Sequence, residues 1–158
     1  MEMKELTIKT EKVLGAYNVL NTAKYTKLDD GDKIKVWKIA RALKPIATKF
    51  DEDSKDAAEK MKPEGFDEKL HDAQEYERVT KDASADASNL KMGAAEYGAF
   101  INTLKSYNKL VTDAVKDFAD KEVSVSFEPL SEDAFGRLMA SNEWTVEQAM
   151  MIGDIITD

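Results

Sequence analysis

The chain has 158 residues, a net charge of -8, no cysteine and one histidine. This length is typical of a single domain with one hydrophobic core. The absence of cysteine excludes disulfides, thiolate zinc sites and cysteine nucleophiles. Residues 1–5 are mostly polar, and no following apolar run is typical of a secretory signal or long enough to span a bilayer. We therefore expect a cytoplasmic protein with no membrane partner.

The charge is distributed unevenly along the chain. Residues 1–49 contain 11 Lys/Arg and 6 Asp/Glu, whereas residues 50–158 contain 12 and 25. An acidic chain gains little from the counterion release that drives binding to nucleic acids. Nucleic acid is therefore a disfavoured partner for the whole chain, and the asymmetry favours pairing between oppositely charged helices.

The first predicted elements are a strand and a helix. Residues 4–9 alternate between apolar and polar side chains, which is typical of a short, half-buried strand. Thr10 is a candidate N-cap for a helix from Glu11 to about Tyr25. The Asp-rich turn at residues 29–32 then ends this segment and starts the next.

Residues 33–62 have the longest helical pattern in the chain. Apolar or small residues recur with heptad spacing at Val36, Ala40, Leu43, Ala47, Phe50, Ser54, Ala57 and Met61. Trp37, Ile39 and Ile46 widen this seam in its N-terminal half. Pro45 removes an internal hydrogen bond, so we expect it to kink or split the helix near Leu43.

Residues 67–120 contain no proline and are compatible with one long helix or with two in series. The polar segment 80–89 favours a break. A second heptad seam follows, and Asn108 is its polar member, either a device that fixes helix pairing or a partly exposed position. The seam comprises Leu90, Ala94, Tyr97, Ile101, Leu104, Asn108, Val111, Val115 and Phe118.

The C-terminal part changes from helical to strand periodicity and back. Residues 122–128 alternate in the way that predicts a strand, whose expected partner is the strand at residues 4–9. Ser131 is a candidate N-cap for a short helix, with Leu130 and Phe135 spaced as a hydrophobic staple. Thr145 and Gln148 form a candidate capping box for one further helix.

Together these patterns predict a mainly α fold with a minor β ribbon. We expect an elongated antiparallel helical bundle or hairpin with long helices and a small two-stranded element near the termini. The chain would be a single domain over residues 1–158, with a projecting hairpin at about 33–95. The strand and short C-terminal helices would occupy residues 122–158.

The candidate catalytic and metal-binding residues form no complete set. His71 and Glu68 match one Glu-x-x-His element of di-iron bundles, but these sites require a second copy. The acidic residues at 29–32 and 51–53 lack the ligand spacing of an EF-hand loop. We therefore predict a non-enzymatic chain with no catalytic, cofactor-binding or metal-binding residues, no cofactor and no evident small-molecule substrate.

Two groups of residues are candidate interaction surfaces. The basic row Lys33, Lys35, Lys38, Arg41, Lys44 and Lys49 either contacts nucleic acid or an acidic partner, or is a solvated face, which its spread around the helix favours. A Met-rich C-terminal group either adapts to a protein partner or closes the core, because methionine fits irregular apolar surfaces. The predicted interaction residues are Trp144, Met139, Met150, Met151 and Asn108.

Three segments carry a resemblance to a known family. Residues 6–20, the basic helix at 35–44 and the strand with its following turn at 122–130 resemble small uncharacterised proteins of tailed bacteriophages and prophages, encoded near structural and tail genes. The resemblance implies a phage-encoded assembly or accessory protein in the cytoplasm of a bacterial host, acting through a protein partner or self-association. The alternative is a nucleic-acid-associated accessory protein that uses the basic helix 33–49.

Overall fold

The computed structural model describes residues 2–82, 84–88 and 90–158. Within these ranges the fold is mainly α with a minor β ribbon, as predicted, and no helix is long and apolar enough to cross a membrane. In chain order the elements are β1 (Lys4–Lys9), α1 (Thr10–Thr22), α2 (Asp30–Met61), α3 (Phe66–Lys81), α4 (Ala94–Asp120), β2 (Glu122–Phe127), α5 (Glu132–Ala140) and α6 (Val146–Ile156).

The β ribbon pairs the two predicted strands. β1 and β2 run antiparallel, with Lys4 opposite Phe127 and Lys9 opposite Glu122. On one face the hydroxyls of Thr7 and Ser124 lie 3.2 Å apart. The apolar side chains of both strands lie on the other face, where they contact the core.

Thr10 is not the N-cap that the sequence predicted. It is the first residue of α1, and the preceding N-cap, Lys9, makes no side-chain capping bond. The Thr10 hydroxyl instead donates a hydrogen bond of 2.7 Å to the carbonyl of Lys121. This bond fixes the start of α1 to the start of β2. α1 ends at Thr22, before Tyr25, whose hydroxyl donates to the Leu20 carbonyl at 2.6 Å.

The two long helical regions differ in continuity. α2 is not split at Pro45, because buried Leu43 and Ala47 keep both sides of the proline on the core face. The predicted break between α3 and α4 is confirmed, and α4 begins at Ala94. Ala83 and Asn89 belong to the predicted break but lie outside the described residues, as does Met1.

The chain divides into two compact units. Unit 1 comprises Met1–Asp53 and Asp117–Asp158, and unit 2 comprises Ser54–Lys116. The prediction of one elongated domain with a hairpin at residues 33–95 stays a prediction.

The core of unit 1 joins the ribbon to α1, α2, α5 and α6. Its largest fully buried side chains belong to all four helices and to the turn before α5. They are Leu20, Ile39, Leu43, Leu130, Leu138, Ile152, Ile156, Val13 and Val36. The predicted caps position the last two helices, since Ser131 accepts from the Ala134 amide and Thr145 forms a capping box with Gln148.

The core of unit 2 is smaller and centred on an aromatic side chain. The ring of Phe66 in α3 lies 5.6 Å from that of Phe100 and 4.8 Å from that of Tyr107, both in α4. The Tyr107 hydroxyl also donates a 2.7 Å hydrogen bond to the Ala58 carbonyl near the end of α2. These contacts hold three helical segments around Phe66.

Candidate functional site

An apolar stripe is exposed on the side of α2 that faces away from the core. Ile34 is 53% exposed and Trp37 is 56% exposed, whereas Ile39 is fully buried. Helical geometry places Ile34 and Trp37 on the side opposite Ile39, because each residue advances the helix by about 100°. The prediction that Trp37 widens the core seam is therefore wrong, and this ring is available for an external contact.

Basic side chains flank this stripe. The guanidinium carbon of Arg41 lies 5.2 Å from the centre of the Trp37 ring, a cation–π distance. Among the described residues, neither Arg41 nor the exposed lysines nearest the stripe form a salt bridge. We define the basic face as Ile34, Trp37 and the flanking Lys33, Lys38, Arg41 and Lys44.

The rest of the predicted basic row has local partners. Lys35 is half-buried and its ammonium lies 3.5 Å from Glu128, while Lys49 pairs with Asp53 at 2.6 Å. Residues 33–50 contain no Asp or Glu. The unpaired positive charge is thus concentrated beside Trp37.

A second exposed apolar stripe lies on α6. Val146 is 77% exposed and Met150 is 64% exposed, and their i, i+4 spacing places them next to each other. Glu147 and Asp154 are exposed on the same side of the helix. We define the acidic face as these four residues. One cation lies at its C-terminal end, where the Lys4 ammonium donates a 3.0 Å hydrogen bond to the Asp154 carbonyl.

The predicted interaction residues fall into different environments. Met139 is 37% exposed, so it joins Met150 as an accessible methionine. Trp144 and Met151 are partly buried against the core of unit 1, where the Trp144 and Phe135 rings lie 6.4 Å apart. Asn108 is exposed on α4, in unit 2.

The sequence analysis missed one partly buried ion pair. Asp32, which is 9% exposed, accepts hydrogen bonds from the Arg137 guanidinium at 2.7 Å (Nη2) and 3.2 Å (Nε). The adjacent carboxylate raises the pKa of Arg137. The Asp29 side chain caps α2 by accepting from the Asp32 amide at 2.8 Å. Asp32 therefore joins α2 to α5, and Asp29 caps α2 in the helix-start turn that the sequence predicted.

The residues considered for chemistry stay apart. His71 and the acidic residues Asp51 and Glu52 are exposed. In the described part of the chain, no three metal-ligating side chains lie close enough to hold an ion. Unit 2 contains a cleft of about 410 Å³ whose wall includes Phe66, Met92 and Phe100.

Comparison with known proteins identified no relative of this chain. No family model, no curated protein and no solved structure matches this chain.

Proposed function

We propose that the chain is a non-enzymatic protein-interaction or assembly protein whose contacts are made by the basic face and the acidic face of unit 1. The observation that carries this proposal is the exposure of large apolar side chains at the centre of both faces, Trp37 on α2 and Met150 on α6. Burying such groups on binding is favourable by about 25 cal/mol for each Å² of apolar surface that is removed from water. The resemblance to tailed-phage proteins supports an assembly or accessory role.

The residue types on both faces suit protein recognition. Tryptophan, methionine and arginine are enriched at the centres of protein interfaces, and charged residues such as lysine and glutamate are usually found at the rim. The basic face has Trp37 and Arg41 as central residues. The acidic face has Met150 as a central residue and Glu147 beside it. Methionine also adapts its shape to a partner at little energetic cost.

Site-specific photo-cross-linking in the cell that normally expresses the chain tests this function. A photoreactive phenylalanine analogue would replace Trp37 or Met150 in the full-length chain. The control places the same group at Lys12, an exposed polar position on α1. We expect discrete protein adducts from positions 37 and 150 and none from position 12. Absence of protein adducts from both test positions would contradict the proposal.

The basic face also favours a second candidate function, a nucleic-acid-associated accessory role. An aromatic ring with nearby Lys and Arg side chains can stack on an unpaired base while the cations contact phosphates. Trp37, Lys38 and Arg41 have these properties. Fluorescence anisotropy with labelled single-stranded DNA and RNA at low salt tests it. Binding that weakens in Trp37→Ala would support this candidate, and no binding at micromolar protein would remove it.

A further inference from the structure

We propose that the acidic face of one copy of this chain binds the basic face of another, so that copies associate head to tail. This inference rests on the proposed function and names the partner as a second copy. It starts from the fact that one chain exposes two apolar stripes with opposite charge around them. Ile34 and Trp37 are flanked by Lys33, Lys38, Arg41 and Lys44, with exposed Asp30 one turn before Ile34, whereas Val146 and Met150 are accompanied by the carboxylates of Glu147 and Asp154.

Charge complementarity favours a second copy of the chain as the partner of the basic face, over a nucleic acid or an anionic lipid surface. The segment 33–50 contributes only positive charge, and residues 138–158 contribute only negative charge. Two copies can therefore pair cations with carboxylates at the rim while the apolar stripes meet at the centre. Like-charged faces would repel each other, so basic-to-basic and acidic-to-acidic contacts are disfavoured.

A head-to-tail contact pairs the basic face of one copy with the acidic face of the next copy. This contact is heterologous because it joins two different patches, one on α2 and one on α6, whereas an isologous dimer uses one self-complementary patch on both subunits. Each pair joined by one such contact leaves one basic and one acidic face unoccupied, so the contact can be repeated. Repetition of a heterologous contact produces a closed ring if the rotation between successive copies closes, and an open chain of copies if it does not.

Sedimentation velocity of the purified full-length chain provides the first measurement. We expect the average sedimentation coefficient to rise with protein concentration at low salt. High salt should reduce this rise, since the Debye length falls from about 10 Å at 0.1 M to about 3 Å at 1 M. A chain that stays monomeric at all concentrations and salt levels would overturn the inference.

Two double variants distinguish the faces. The first, Trp37→Ala with Lys38→Glu, damages only the basic face, and the second, Met150→Ala with Glu147→Lys, damages only the acidic face. All four positions are exposed, so circular dichroism should show an unchanged fold. We expect each variant alone to lose association by at least about tenfold, equivalent to about 1.4 kcal/mol. The control Lys12→Glu, on the exposed side of α1, should associate as the original chain does.

Mixing the two double variants gives the decisive result. Each retains one intact face, so an equimolar mixture should form a heterodimer and nothing larger. Failure of the mixture to associate would overturn the head-to-tail arrangement. So would a monomeric chain whose basic face binds a single-stranded oligonucleotide or vesicles of anionic phospholipid. In either case, protein adducts in the photo-cross-linking experiment would still support the proposed function with a different protein partner.

Discussion

Replacing Trp37 by alanine should separate the contribution of this residue to binding from its contribution to folding. Trp37 and Ile39 lie two residues apart on α2, but Trp37 is 56% exposed and Ile39 is fully buried. The Trp37→Ala change loses an exposed cation–π contact with Arg41 of about 0.5–1 kcal/mol. The higher helix propensity of alanine offsets part of this loss, by up to about 0.5 kcal/mol. We therefore expect the free energy of unfolding to fall by about 1 kcal/mol or less.

Ile39→Ala is the matched comparison. It removes a fully buried side chain and leaves a cavity, which typically costs about 2–5 kcal/mol. Urea unfolding followed by circular dichroism measures both variants, and the midpoint should shift clearly only for Ile39→Ala. Sedimentation velocity should in turn show weaker association for Trp37→Ala. A Trp37→Ala chain that is destabilised as much as Ile39→Ala would refute the assignment of this ring to an external contact.

Two further predictions concern polar groups of unit 2. Ser54→Ala should stabilise the chain by about 1 kcal/mol, because the buried Ser54 hydroxyl has no hydrogen-bond partner among the described residues and alanine favours a helix. The control Ser106→Ala, at an exposed position on α4, should raise the free energy of unfolding only by the helix-propensity difference, about 0.5 kcal/mol. Equal increases for the two variants in urea unfolding would contradict the role of the buried hydroxyl. The Tyr97 hydroxyl donates a hydrogen bond to the Glu77 carboxylate, which raises the pKa of Tyr97. This hydrogen bond therefore stabilises the fold fully at pH values below the ordinary tyrosine pKa. The stabilisation is lost as the pH rises through the higher pKa that Tyr97 has in the folded chain. In Glu77→Gln, NMR of labelled tyrosine should show a lower Tyr97 pKa, and an unchanged value would exclude Glu77 as the cause.

Local patterns predicted most of the elements because their causes lie within a few residues. The alternation at residues 4–9 and 122–128 gave both strands, and their pairing followed because a lone strand leaves its backbone groups unsatisfied. Ser131 and Thr145 cap helices through bonds to residues three positions ahead. Thr10 was misassigned because its hydroxyl bonds to Lys121, a partner more than a hundred residues away.

The candidate surfaces were predictable only in part. The basic row and the exposed Met139 and Met150 were visible as residue types, but their exposure depends on which side of each helix the core covers. Trp37 was assigned to the seam because large apolar side chains are usually buried. A helical projection centred on Val36 and Leu43 would have placed Trp37 outside it. The Asp32–Arg137 pair joins distant segments, so no local pattern indicates it.

Fluorescence of Trp37 tests most directly whether another protein surface covers the basic face. The chain has two tryptophans, so in a Trp144→Phe background the emission reports Trp37 alone. As the protein concentration rises, or as a partner captured by cross-linking is added, the emission should shift to shorter wavelength and quenching by acrylamide should fall. An emission maximum and a quenching constant that stay at the values of a solvent-exposed indole under both conditions would contradict the central claim.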